Sequence, residues 1–157
     1  MVRSALAAIV LAAVSSTAFA DDNLARFEGA VGSQPLRAGG ATNDVFGVNP
    51  GGRPWLISGL SAFVKKDGRV SVVGRGLILG GGPSVGTSGN IAVKAKLLCP
   101  TSSTTATQHD SGTVTMEPDG DFRIDDTLVP PPPADCTNGV LLITSGTNAW
   151  FAAGIPK

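Results

Sequence analysis

After position 20, apolar residues come in short runs broken by Gly, Pro, Asn and Asp, and no dozen residues repeat with the 3.6-residue period of a helix. Residues 25–31 read as a first short strand, closed by Gly32 and Pro35, and 45–48 as a second before the turn signal Asn49-Pro50-Gly51-Gly52. Residues 55–64 and 70–79 are two long apolar runs flanking Lys65-Lys66-Asp67-Gly68-Arg69. Asp67-Gly68 offers the positive-φ positions of a tight turn, so the two runs predict one hairpin. In 91–98, Ile91, Val93, Ala95 and Leu97 alternate with Ala92, Lys94, Lys96 and Leu98. That period of two predicts a half-exposed strand with both lysines facing water.

Residues 80–89 are a glycine-rich loop and 101–111 a Ser/Thr-rich loop. Val114 and Met116 lead into the hairpin turn Glu117-Pro118-Asp119-Gly120, and Phe122, Ile124 and Leu128 follow. Pro130 to Pro133 lack the N–H a ladder needs, so the chain is expected to leave the sheet there as an extended polyproline segment. Residues 140–143 and 149–155 are the last two strands. Seven to nine short strands with a turn every 8–12 residues predict an all-β fold, an antiparallel β-sandwich of immunoglobulin-like or similar type. Gly (21) and Pro (11) at this density break helices, which points the same way. The rival is a small outer-membrane barrel. Its aromatic girdles fit poorly with 5% aromatic residues and a Pro156-Lys157 terminus.

The first 20 residues follow a different pattern. Arg3 precedes an apolar run over 5–14, and Ala18-Phe19-Ala20 is a small-x-small cleavage site before Asp21-Asp22. This is the build of a cleaved secretory signal peptide, too short to span a bilayer. The expected organisation is a signal at 1–20 and a single β domain at 21–157, exported to the periplasm or the outside. Removing 20 of the 157 residues leaves 137, enough to bury about two-thirds of the surface on folding. With Arg3 gone, eleven Lys+Arg face twelve Asp+Glu, which gives no bulk signal for nucleic acid or an anionic membrane. Cys99 and Cys136 are the only cysteines, and in an oxidising compartment they are expected to pair. No lipobox cysteine follows the signal.

Candidate chemistry is sparse. Gly82-Pro83-Ser84-Val85-Gly86 matches the G-x-S-x-G elbow, whose serine needs a histidine base. His109 is the single candidate, with Asp110 beside it. Thr87-Ser88-Gly89-Asn90 after the motif does not start the helix such an elbow requires, so a Ser84–His109 serine hydrolase is a minor alternative, and His109 reads as a surface residue of a polar loop. From Gly81 to Ser88 the chain also resembles a P-loop, but Thr87 stands where the phosphate-binding lysine is needed. Glu117, Asp119 and Asp121 alternate as calcium ligands do. The glycine falls between them and no bidentate Glu follows, so they are weak metal candidates beside a plain turn. No cofactor is implied. Trp55 and Trp150 offer a sugar-stacking platform as one reading, but each sits in an apolar run and is assigned to the core. Their contexts, Trp55-Leu56-Ile57-Ser58-Gly59-Leu60 and Trp150-Phe151-Ala152-Ala153-Gly154-Ile155, echo one another, which reads as two equivalent strands, one per sheet, or as coincidence in a Gly/Ala-rich chain.

Two stretches carry a resemblance. They are Gly47-Val48-Asn49-Pro50-Gly51-Gly52-Arg53-Pro54-Trp55 and the region from Phe122-Arg123-Ile124-Asp125-Asp126 through the prolines and Cys136 to Trp150-Phe151-Ala152-Ala153-Gly154-Ile155. Both are similar to small secreted bacterial proteins of unassigned function. The resemblance implies an exported β protein and carries over no catalytic or binding residue. The expected role is a non-enzymatic binding or structural one in the bacterial envelope or outside the cell, with contacts on loops 80–89 and 100–111. A pilin-like surface-assembly subunit is the alternative.

Overall fold

The computed structural model describes residues 22–157, so the signal-peptide reading of 1–20 lies outside the described residues. The described chain is all-β. Its strands are β1 (Asn23–Gly32), β2 (Trp55–Leu56), β3 (Gly59–Lys65), β4 (Arg69–Arg75), β5 (Ile78–Leu79), β6 (Ala92–Pro100), β7 (Ala106–Asp110), β8 (Val114–Thr115), β9 (Phe122–Thr127), β10 (Val140–Ser145) and β11 (Trp150–Pro156). All strand pairs are antiparallel. The main sheet runs β7-β6-β10-β11-β1-β3-β4-β9, with β8 also on β6, and β2-β5 forms a second, small sheet. The main sheet curls until its ends meet. Beyond β9, Val129 exchanges backbone hydrogen bonds of 2.8 and 3.1 Å with Asp110 at the end of β7. No helix among the described residues is long and apolar enough to cross a membrane.

The hairpin of 55–64 and 70–79 forms with the expected turn, in which the Gly68 N–H donates to Lys65 O at 2.9 Å. Each run is split by a corner. At Ile57-Ser58 on one arm and Gly76-Leu77 on the other, the pair bends out of the main sheet. Pairing continues beyond in the same register, Trp55 opposite Leu79 and Gly59 opposite Arg75. Gly76 takes φ 61°, a backbone conformation glycine adopts without steric cost. The two echoing segments lie one in each sheet, Trp55-Leu56 as the two-residue β2 of the small sheet and Trp150-Phe151-Ala152-Ala153-Gly154-Ile155 within the seven-residue β11 of the main sheet.

The inner face of the curl holds the core, with Phe27, Leu60, Val64, Val72, Leu97, Ile124, Leu141 and Ile143 buried together. Each fully buried aliphatic side chain contributes on the order of 1.5–3 kcal/mol. A second cluster lies on the outer face of β6, β10 and β11, where Val48 covers Leu98, Leu142 and Trp150. The cover is held by its backbone. Trp150 N donates to Asn49 O and Gly51 N to Trp150 O, each at 2.9 Å, and the Trp150 indole Nε1 donates to Asn43 O at 3.0 Å. Strands buried on both faces lose the alternation of a half-exposed sheet. This corrects the expectation for β6. Lys96, expected to face water, is 1% exposed and bonds Gln108 Oε1 at 2.8 Å and Asp110 Oδ2 at 3.0 Å. Residues 45–48 make only one isolated bridge, Val45 to Val48. Part of the Ser/Thr-rich loop is instead the strand β7, in which His109 lies opposite Leu97 and points inward with it. Cys99 and Cys136 form the expected disulfide, with Cα atoms 5.3 Å apart, which ties the end of β6 to the chain beyond the prolines.

Candidate functional site

Three loops converge on one cleft of about 540 Å³. The first is the Gly51-Gly52-Arg53-Pro54 turn, fixed to β11 by the Gly51–Trp150 hydrogen bond. The second is the glycine-rich loop at 80–89. It is braced by its own backbone, with Gly86 N on Leu79 O and Leu79 N on Thr87 O, both at 2.9 Å, and the Thr87 hydroxyl donating to Ser84 O at 2.8 Å. The third is the β10–β11 turn. There Asn148 takes φ 69°, Ala149 N donates to Ser145 Oγ at 3.1 Å, and Ser145 Oγ meets Thr147 Oγ1 at 2.9 Å. Turns that satisfy their own polar groups hold a cleft open without a ligand.

Trp55 and Phe151 form the floor, stacked with ring centroids 4.1 Å apart at 27°. Gly51 permits this stack, because a Cβ there would lie 2.8 Å from Trp55 Nε1 and 3.0 Å from the Phe151 ring. The Trp55 backbone N–H donates to Ser33 O at 2.8 Å, which fixes the strand that carries the floor. Leu79, Ile91 and Ala149 extend the apolar lining, and Ser84, Ser145 and Thr147 supply hydroxyls. Arg53 is the single charged residue of the lining and makes no ion pair among the described residues. A mostly apolar concavity with a few convergent polar groups is the usual build of a small-ligand site.

Ser84 is exposed on this rim, as a loop contact residue was expected to be, but His109 is not part of the cleft. The ring of His109, expected at the surface, is 4% exposed, and both its nitrogens are engaged. Pro130 O, 2.8 Å from Nδ1, can only accept, so Nδ1 carries a proton, and Nε2 lies 2.9 Å from the Thr107 hydroxyl. That ring is a satisfied structural group and stands as no base beside Ser84.

The acidic turn is likewise spent on the fold. Asp119 Oδ1 accepts Asp121 N at 3.1 Å. Asp121 Oδ1 accepts Gly76 N at 2.9 Å, and Leu77 N donates to Gly120 O at 3.0 Å, so the turn is docked on the hairpin corner. Glu117 is exposed, and no group of three or more His, Cys, Asp or Glu among the described residues is placed to hold a metal ion. Trp55 and Trp150 are both buried, as assigned, although Trp55 also floors the cleft. Arg53 and Thr147 were not singled out from the sequence. Their one signal was position in turn motifs, Gly51-Gly52 and Ser145-Gly146-Thr147-Asn148, whose meeting in space only the fold supplies. No family model, curated protein or solved structure matches the chain.

Proposed function

We propose that this chain is an exported, non-enzymatic binding protein that holds a small ligand, or the end of a larger one, in the Trp55–Phe151 cleft. The single observation that carries the reading is the cleft itself, apolar below, hydroxyl-lined above and bearing one unopposed cation. Arg53 favours an anionic or hydrogen-bond-accepting group on the ligand. The disulfide is consistent with an oxidising compartment, periplasmic or extracellular. The two halves of the curled sheet, β7-β6-β10-β11 and β3-β4-β9, share one core, and we read them as the two layers of a sandwich. A pilin-like subunit needs a strand from a neighbour, whereas the Asp110–Val129 bridge joins the edges of this sheet from within. That favours a self-contained binder.

The test is an amide NMR titration with a panel of small carboxylates and oligosaccharides, run beside a broad esterase, glycosidase and peptidase panel. The expected result is saturable shifts confined to 51–55, 80–91 and 145–151, with no product formed. Turnover abolished by Ser84→Ala would overturn the reading.

A further inference from the structure

The balanced net charge of the chain hides a separation of charge that the fold creates. On β1, β3, β4 and β9 the inward positions are apolar: Phe27, Leu60, Ala62, Val64, Val70, Val72 and Ile124 are all buried. The alternate positions form one outward face. In register across it lie Arg26 opposite Phe63, Phe63 opposite Ser71, and Ser71 opposite Asp125. The same face carries Lys65, Arg69, Arg75 and Arg123, with Lys157 brought against Glu28 from the end of β11. Six cations therefore stand beside four carboxylates, Glu28, Asp125 and Asp126 with Asp67 at the turn, and cations remain in excess. The opposite outer face, on β6, β10 and β11, is covered by the 45–50 segment, but this one is open and Phe63 is 39% exposed at its centre.

Two shallow grooves flank Phe63, of about 430 and 390 Å³. Phe63 and Lys65 line both. Arg26, Lys157 and Glu28 border the first, and Arg69, Asp125 and Asp126 the second. The Arg123–Asp125 and Lys157–Glu28 pairs and the Arg69–Asp67 pair at the turn are solvent-exposed, so exchanging them for a ligand's anions costs little. Lys65 and Arg75 make no ion pair among the described residues. An aromatic ring between two cation-bordered grooves suits a chain ligand that alternates apolar ring faces with carboxylates. The ring packs on the C–H face of a sugar and the cations take the flanking acids.

We propose that this face binds a linear acidic polysaccharide, a polymer of uronate sugars, with Phe63 between two consecutive sugar subsites. The site is separate from the cleft and does not depend on the reading given to it. The full chain, expressed with its own N-terminus, would be titrated calorimetrically with polygalacturonate, dextran, polyphosphate and phosphatidylglycerol vesicles. The expected result is binding to polygalacturonate that weakens with added salt, with none to dextran. Phe63→Ser and Lys65→Glu should each weaken it about tenfold with the thermal melt retained, and Arg69→Glu serves as a second charge variant if Lys65→Glu fails to fold. Ser84→Trp, which fills the cleft, should leave it unchanged. Absence of binding to polygalacturonate would overturn the proposal. So would polyphosphate bound as tightly by Phe63→Ser as by the parent, a preference for vesicles, or loss of binding in Ser84→Trp.

Discussion

Lys96 is the residue whose surroundings depart furthest from its type. Its ammonium sits 2.9 and 3.0 Å from the two carboxylate oxygens of Asp110, with Lys94 3.6 Å from the same group. A desolvated charge is tolerable only while it is paired. Asp110→Ala would leave that ammonium buried with Gln108 as its remaining partner. We expect a loss of about 3 kcal/mol in urea denaturation, the low end for a broken buried pair because the Asp110 side chain is itself 31% exposed. Lys96→Met keeps the apolar stem and removes the charge, and should cost less than about 1 kcal/mol. At the open face the electrostatics are milder. The Ser71 hydroxyl first, and Arg123 second, hold the Asp125 carboxyl below the usual carboxylate value. A depressed carboxylate favours the folded state above its ordinary range, and that contribution fades as pH falls through the folded value. Ser71→Ala should therefore move the Asp125 titration upward, read by carboxyl NMR. At this scale the sequence was a partial guide. The alternation through Lys94 and Lys96 correctly placed both lysines on one face of β6, but a period of two cannot report that Val48 and its neighbours cover part of that face. His109 was misplaced for a similar reason, since a polar Ser/Thr context hid a strand that turns its ring inward.

Local chemistry determined most of the elements. The Asp67-Gly68 turn, the two apolar runs beside it and Phe122 and Ile124 each agree with the strands observed, and Leu128 falls just past β9. The corner in the long hairpin was not legible, because its cause is distant. Gly120 and Asp121, more than forty residues on, hold the backbone of Leu77 and Gly76. The residues that looked like a cation loop are the clasp of that corner. The disulfide was legible from count and compartment alone. It closes a loop of 37 residues, so the Cys99→Ala/Cys136→Ala pair is expected to lose about 4 kcal/mol on the chain-entropy model. Urea midpoints for the oxidised chain and the double variant check this, and dithiothreitol should lower the first and leave the second unmoved.

Over the whole molecule, the two candidate surfaces arise from the fold and not from any one stretch of sequence. The cleft draws on three loops between positions 51 and 151, and the basic face on four strands and the last residue. Composition described the chain as neutral, and only the fold sets six of its cations along one open face. The central claim is that the Trp55–Phe151 cleft is where this protein meets its ligand. The most direct measurement compares small molecules and glycans that co-purify from envelope and medium with the tagged parent chain and with its Ser84→Trp variant, quantified by mass spectrometry. The expected result is a stoichiometric ligand on the parent that is missing from a correctly folded Ser84→Trp chain. The same ligand retained equally by both would contradict the account.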